Sequence, residues 1–280
     1  MAKPTKLPKP PITEAVIDIR VGFNATRTID ELAALGAKLH GYTESQRLQF
    51  GIAFTTVAGP IGQGVQLISG PQLIPGSSAG VTIPGVAAAI ANALPQPQGT
   101  SPAILGVAFR SADSLQVIQS RHEGLTFSRL RPYMDWEPLF EGIWAAWLGY
   151  REVLRPDRVL RVSTRFINRI DIPTGQNLDD YFLISPRMPE GAPDILSAYS
   201  SVMSIPYAQR KTQAFVKLGL DVSNSNQTIQ AMILDLDILH PCDLAPNDNE
   251  AISSEIQDLR PLKNELFFGS LTEKALELFQ

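Results

Sequence analysis

The clearest alternation of apolar and polar positions runs from Asp157 to Pro173. Leu160, Val162, Thr164, Phe166, Ile170 and Ile172 fall on one side, with Asn168 among them, and Arg161, Ser163, Arg165, Arg169 and Asp171 on the other. A period of two in a stretch rich in β-branched residues predicts a long strand with one buried face. Ala15–Phe23 alternates in the same way, with Asp18 and Arg20 on its polar side, and Leu48–Val57 predicts another strand. Ile104–Arg110 and Leu115–Glu123 read as two strands around the turn 111–114, and Leu125–Leu130 continues as an edge strand. Thr212–Val222 and Thr228–His240 read as a hairpin about Ser223-Asn-Ser-Asn226, and Ala192–Ile205 as one more strand.

Helical spacing appears in fewer places. Thr28, with Glu31 three residues later, opens a helix to Leu39 as a capping box. Asp135 caps a longer one, Trp136–Leu154, in which Trp136, Phe140, Ile143, Trp144, Trp147 and Leu148 recur every three or four residues. Glu250–Leu259 reads as a helix, and Ser270-Leu-Thr-Glu273 as a capping box for a last one, Leu271–Phe279. Strands outnumber helices and follow one another, which predicts an α+β fold with largely antiparallel sheets packed against the Trp-rich helix and the C-terminal helices. Each half has a strand run followed by a helix. Two similar lobes, 1–156 and 157–280, are therefore expected, although no sequence repeat supports a duplication.

Composition changes this picture at one place. From Leu48 to Phe109 there is no Asp, Glu, Lys, Arg or His, in a chain that is 19% charged. Residues 58–102, rich in Gly, Pro and Ala, read as a long insertion in the first lobe. Three readings stand: a flap on the fold, a surface for a partner protein or a second copy, or peripheral membrane contact through residues 76–94 with a short helix at Val86–Leu94. Elsewhere composition mainly excludes. A net charge of −4 argues against a nucleic-acid surface. The single cysteine excludes an internal disulfide framework. The basic, Pro-rich start lacks the apolar core of a signal peptide and no run of 18 apolar residues occurs, so a cytoplasmic protein is expected.

Candidate chemistry is sparse. Arg161, Arg165 and Arg169 recur every fourth residue on the polar side of the 157–173 strand, roughly 13 Å apart. They suit either a ladder of cross-strand pairs with Asp18, Asp235 and Asp237 or an extended anionic ligand, with Asn168, Trp144 and Trp147 as further ligand contacts. Asp235 and Asp237 are weak candidates for a metal, lacking a third ligand. Cys242 lies two residues from His240, but a lone cysteine is usually packing. His40, His122 and His240 show no metal spacing, and no nucleotide-binding or nucleophile-elbow motif occurs. No cofactor is expected.

Several stretches together resemble a family. Pro10-Pro-Ile-Thr-Glu-Ala-Val-Ile-Asp-Ile-Arg20, Arg131-Pro-Tyr-Met-Asp-Trp-Glu137, Arg165-Phe-Ile-Asn-Arg-Ile-Asp-Ile-Pro173, Asp235-Leu-Asp237 and Leu259-Arg-Pro-Leu-Lys-Asn-Glu-Leu-Phe-Phe268 with Leu271-Thr-Glu273 look like a sporadically distributed family of bacterial proteins of unknown function. The resemblance spans nearly the whole chain, and the 58–102 stretch is longer and more apolar than its counterparts. It implies no activity, substrate or cofactor, and its patchy distribution implies accessory or defence-type roles. The leading expectation is a non-enzymatic binding or regulatory protein acting through another protein chain or through self-association. The alternative is a binding module or enzyme for a small anionic ligand, with a cleft between the Trp-rich helix and the sheet.

Overall fold

The structure, a computed structural model, describes residues 7–49, 52–59, 62–69, 104–186, 189–191 and 197–280. The long alternating stretch is β8, Arg158–Pro173, an interior strand of a nine-stranded sheet, next to its middle strand. Its neighbour on one side is β1, Ile12–Gly22, and on the other β11, Ile229–Leu244. Outside β11 come β10, Thr212–Leu220, and β9, Ser200–Tyr207. Outside β1 come β7 (Gly124–Leu130), β6 (Gln116–Arg121), β5 (Ile104–Ser111) and β2 (Tyr42–Gln49). Every neighbouring pair is antiparallel. β3 (Ile52–Gly59) and β4 (Gly62–Ser69) form a separate two-stranded ribbon. Residues 70–103 lie outside the described residues, and with them the expected helix at Val86–Leu94 and most of the charge-free insertion.

The two halves repeat one order. In the first, β1 takes the centre and the meander β5-β6-β7 steps inward to pair with it; α2, Trp136–Leu154, follows. In the second, β8 takes the place beside β1, β9-β10-β11 steps inward to β8, and α3, Asn249–Ser270, follows. The sheet runs without a break across residue 156, because β1 and β8 pair along their length. One buried cluster draws on both halves, from Ala15, Ile17 and Phe127 to Phe166, Ile238 and Ile256.

The helices cover one face. α2 packs on β7 and β1 with Leu139, Ile143, Ala146, Trp147 and Tyr150 buried at three- and four-residue spacing. Its close approach needs Gly142, where any Cβ would collide with the Phe127 ring. α3 packs on β8 and β11 through Ile252, Ile256, Leu259, Leu262 and Phe267. It does not stop at Leu259 but runs through Pro261. An interior proline costs ~3 kcal/mol, but the apolar stripe continues beyond it, and burying Leu262 and Phe267 offsets that loss. α1 (Ile29–Ala33) has the expected capping box of Thr28 and Glu31. α4 (Glu273–Glu277) is capped by Thr272 alone; Ser270 belongs to α3 and donates to the Leu266 carbonyl at 2.6 Å.

Three further expectations are corrected. Leu125–Leu130 is not an edge strand; as β7 it lies between β6 and β1. The expected strand Leu48–Val57 is instead the end of β2 and most of β3, in two different sheets. Leu160 does not share the inward side of β8. A register shift opposite Arg20 and Val21 changes the phase there, so Val159 is buried and Leu160 is 45% exposed.

A second register shift bears on the site below. Between Ile12 and Glu14 the pairing slips against Asn168 and Ile167. The bulge at Thr13, whose hydroxyl donates to the Ile167 carbonyl at 3.0 Å, turns Ile12 onto the helix-covered side.

Candidate functional site

The two faces of β8 carry different chemistry. Arg161, Arg165 and Arg169 stand on the face away from the helices, and each meets an aspartate. Arg165 donates Nε and Nη2 to the two carboxylate oxygens of Asp235 at 2.8 and 2.7 Å. Arg169 Nε donates to Asp171 at 2.8 Å, and Arg161 Nη2 reaches Asp18 at 3.5 Å. Asp18 also accepts from Arg20 Nε at 2.8 Å, from Thr126 at 2.6 Å, and from Arg121. Lys217 approaches Asp235 at 3.5 Å. Arg165–Asp235, Lys217–Asp235 and Arg161–Asp18 are charge pairs across adjacent strands, Arg169–Asp171 and Arg20–Asp18 lie two residues apart within one strand, and Arg121 reaches Asp18 across β7.

The pKa directions on this face follow from burial. Desolvation raises Glu14, partly offset by a Ser128 hydrogen bond and Arg165. Desolvation likewise raises Asp237 against the pull of Arg165. Burial opposes the charge of Arg165, but the bonds and charge of Asp235 outweigh it and the guanidinium is held more firmly protonated than usual. With Arg165 and Lys217 on Asp235, cations occupy the place a metal would take. Among the described residues no group of three His, Cys, Asp or Glu side chains is placed to hold a metal ion.

The tryptophans split. Trp147 is fully buried in the core and stacks on Tyr150, and Trp144 stacks on Phe140. Neither lines the cavity described next; Trp136 does. Cys242 is half-buried, and burial with the Glu255 charge pushes its thiol up to about 11. His240 faces Glu255 through Nε2 at 3.1 Å and Thr212 through Nδ1 at 3.1 Å.

On the helix-covered side, between the start of α2, the middle of β8 and the second half of α3, lies a cavity of about 330 Å³. That is at the small end of the ~300–1,000 Å³ usual for ligand sites. Phe166 and Asn168 of β8 contribute to its wall, beside Tyr133 and Trp136. Tyr133 meets the Phe166 ring edge-on at 5.6 Å and Trp136 stacks on it at 6.4 Å. α3 presents Arg260, Lys263, Asn264, Phe267 and Phe268, one helical face at three- and four-residue spacing. Leu7 and the turn 10–12 close another side, tied down by Lys9 N to the Phe279 carbonyl and Arg169 N to the Pro11 carbonyl. Met134, 70% exposed, stands at the rim.

The polar groups of this cavity are unevenly matched. Arg260 is engaged, donating to Glu137 at 2.7 Å with Asp135 at 3.8 Å. Lys263 is half-buried and makes no hydrogen bond or ion pair among the described residues; its Nζ sits 4.4 Å over the Phe166 ring. Desolvation and then the neighbouring Arg260 charge lower it to about 8, against the opposing pull of Asp135. Asn168 is 1% exposed. Its amide nitrogen donates to the Leu234 and Phe166 carbonyls at 3.0 and 3.2 Å, which leaves its oxygen buried without a partner. Burial raises the Tyr133 phenol further above its ordinary value.

Of the candidate site residues read from sequence, Asn168 alone reaches this cavity. Lys263, Arg260, Tyr133 and the Phe267–Phe268 pair were missed, because the helix carrying most of them was expected to end at Leu259. Several stretches quoted in the sequence analysis do contribute to its walls. Residues 10–12, 133–137, 166 and 168, and 260–268 come from four of them, and they converge here. A scan against protein-family models, a search of curated proteins and a search of solved structures each found no match.

Proposed function

We propose that the chain is a small-molecule binding module, and that its ligand is a compact organic anion held in the cavity between α2, β8 and α3. The observation that carries this reading is the ammonium of Lys263. It is partly desolvated, it makes no hydrogen bond or ion pair among the described residues, with Asp135 acting on it only through its charge, and it shares the cavity wall with Asn168, whose oxygen is buried without a partner. A buried charge and a buried acceptor without partners each cost free energy. A ligand offering an anionic head to Lys263 and a donor to Asn168 removes both costs, and its apolar body meets Phe166, Phe267 and Phe268. The reading keeps the anionic ligand expected from sequence but moves it from Arg165 and Arg169 to the opposite face of the sheet. The expectation of association through the charge-free insertion concerns residues that lie mostly outside those described.

The test is thermal stabilisation by a panel of small carboxylates with aliphatic or aromatic bodies. A member present at ~100 times its Kd stabilises the wild type by about 2.7 kcal/mol. That gain is absent in Lys263→Met and retained in Arg165→Ala, whatever the latter does to basal stability. Equal stabilisation of wild type and Lys263→Met refutes the assignment.

A further inference from the structure

We infer that Lys263 is a carbonyl-reactive amine, and that the ligand class of the cavity is a 2-oxo acid or related aldehyde or ketone held as a reversible imine. This rests on the cavity being a ligand site and names the chemistry of its occupant. Three placements carry it. Lys263 Nζ lies in the cavity above the Phe166 ring, with no hydrogen-bond acceptor claiming it among the described residues. The acidic groups at the same end, Asp135 and Glu137, are drawn toward Arg260, one turn before Lys263 on α3. Asn168 of β8 contributes to the wall of the same cavity, and its side-chain oxygen is buried without a hydrogen-bond partner among the described residues.

Amine reactivity follows from these surroundings. A lysine desolvated beside another cation holds its proton loosely and presents neutral amine near neutral pH. The Lys263 proton is loosened, whereas Lys274 is held more firmly protonated by its Asp180 hydrogen bond. The charged and titratable groups facing Lys263 are Arg260 on its own helix, Asp135 and Glu137 at the start of α2, and Tyr133 before it, whose phenol burial keeps protonated.

The step balances without an oxidant. The Nζ lone pair adds to the carbonyl carbon, and the carbonyl oxygen becomes the hydroxyl of a carbinolamine. That oxygen then leaves as water, with the two hydrogens that began on Nζ, and a carbon–nitrogen double bond remains. The Tyr133, Trp136 and Phe166 rings form part of the wall around the amine.

The experiment uses the full chain, phenylpyruvate as probe and sodium cyanoborohydride as the reductant that traps the imine by hydride addition to its carbon. Peptide mapping is expected to place a single equivalent on Lys263. Its rate is expected to exceed that of Lys38, Lys211 and Lys274 in the same molecules by roughly tenfold or more, because Lys263 lies in the cavity that binds the probe and holds its proton loosely. 3-Phenylpropanoate, which has no ketone, competes. Modification of Lys263 no faster than of those three lysines overturns the inference. If 3-phenylpropanoate nevertheless stabilises wild type and not Lys263→Met, the imine chemistry fails alone and the binding reading survives. The comparison is internal to the wild type, so it holds even where a Lys263 variant does not fold.

Discussion

Lys263 is the residue on which the functional reading turns, and its cost to the fold is itself measurable. In the native chain burial and Arg260 hold it near 8, against an ordinary value of 10.5. Below pH 8 both folded and unfolded chains carry the proton, and the full cost of desolvating the charge is present. Between 8 and 10.5 the unfolded chain binds a proton that the native chain does not, so stability rises with pH. Above 10.5 both are neutral and the cost is gone. Lys263→Met is therefore expected to be more stable than wild type at about pH 7, by about 1–2 kcal/mol after allowing for solvent screening. The difference should shrink as pH approaches 10. Urea unfolding of the two proteins across that range measures it, and a gap independent of pH would contradict the placement of the ammonium.

At the scale of elements, packing overrides local preference in two helices. α3 runs through Pro261 because its apolar stripe has a continuous sheet to lie on. α2 carries Gly142 in its interior, where alanine is ordinarily favoured by ~1 kcal/mol. Here the added methyl would enter the Phe127 ring, itself 1% exposed in the core. Gly142→Ala is expected to destabilise by about 1–3 kcal/mol as an overpacking change. A rise in Tm for that variant would show that α2 sits further from β7 than described.

At the scale of the molecule, the repeated order of the two halves does not divide the sheet. β1 and β8 lie side by side, and Ile17, Phe127, Phe166 and Ile256 share one core. A chain with such shared burial should unfold in one cooperative step. All three tryptophans lie in α2, so their fluorescence reports the first half, while far-UV circular dichroism reports every element. The two signals are expected to give coincident urea transitions. A tryptophan transition clearly separated from the circular-dichroism one would mean that the halves unfold independently.

Local regularity was readable from sequence wherever one pattern governed many consecutive residues. The alternation at 158–173, the capping box at Thr28 and the Asp135 cap all form as the residue spacing predicts, because each depends on neighbours within a few positions. Two expectations failed at single residues: a bulge turns Leu160 outward, and the helix expected to end at Leu259 runs through Pro261, whose cost is outweighed by burial elsewhere. The cavity was not legible as a site. Its walls come from residues 7–12, 133–137, 166–168 and 260–268, and no spacing rule links segments so far apart in the chain. The pairing of β1 with β8 and the seating of α3 on the sheet bring them together. Sequence thus determined the strands, caps and antiparallel class of this protein. Tertiary structure decided which arginines are already paired with aspartates, and left Lys263 and Asn168 as the polar groups still lacking partners beside the Phe166 ring.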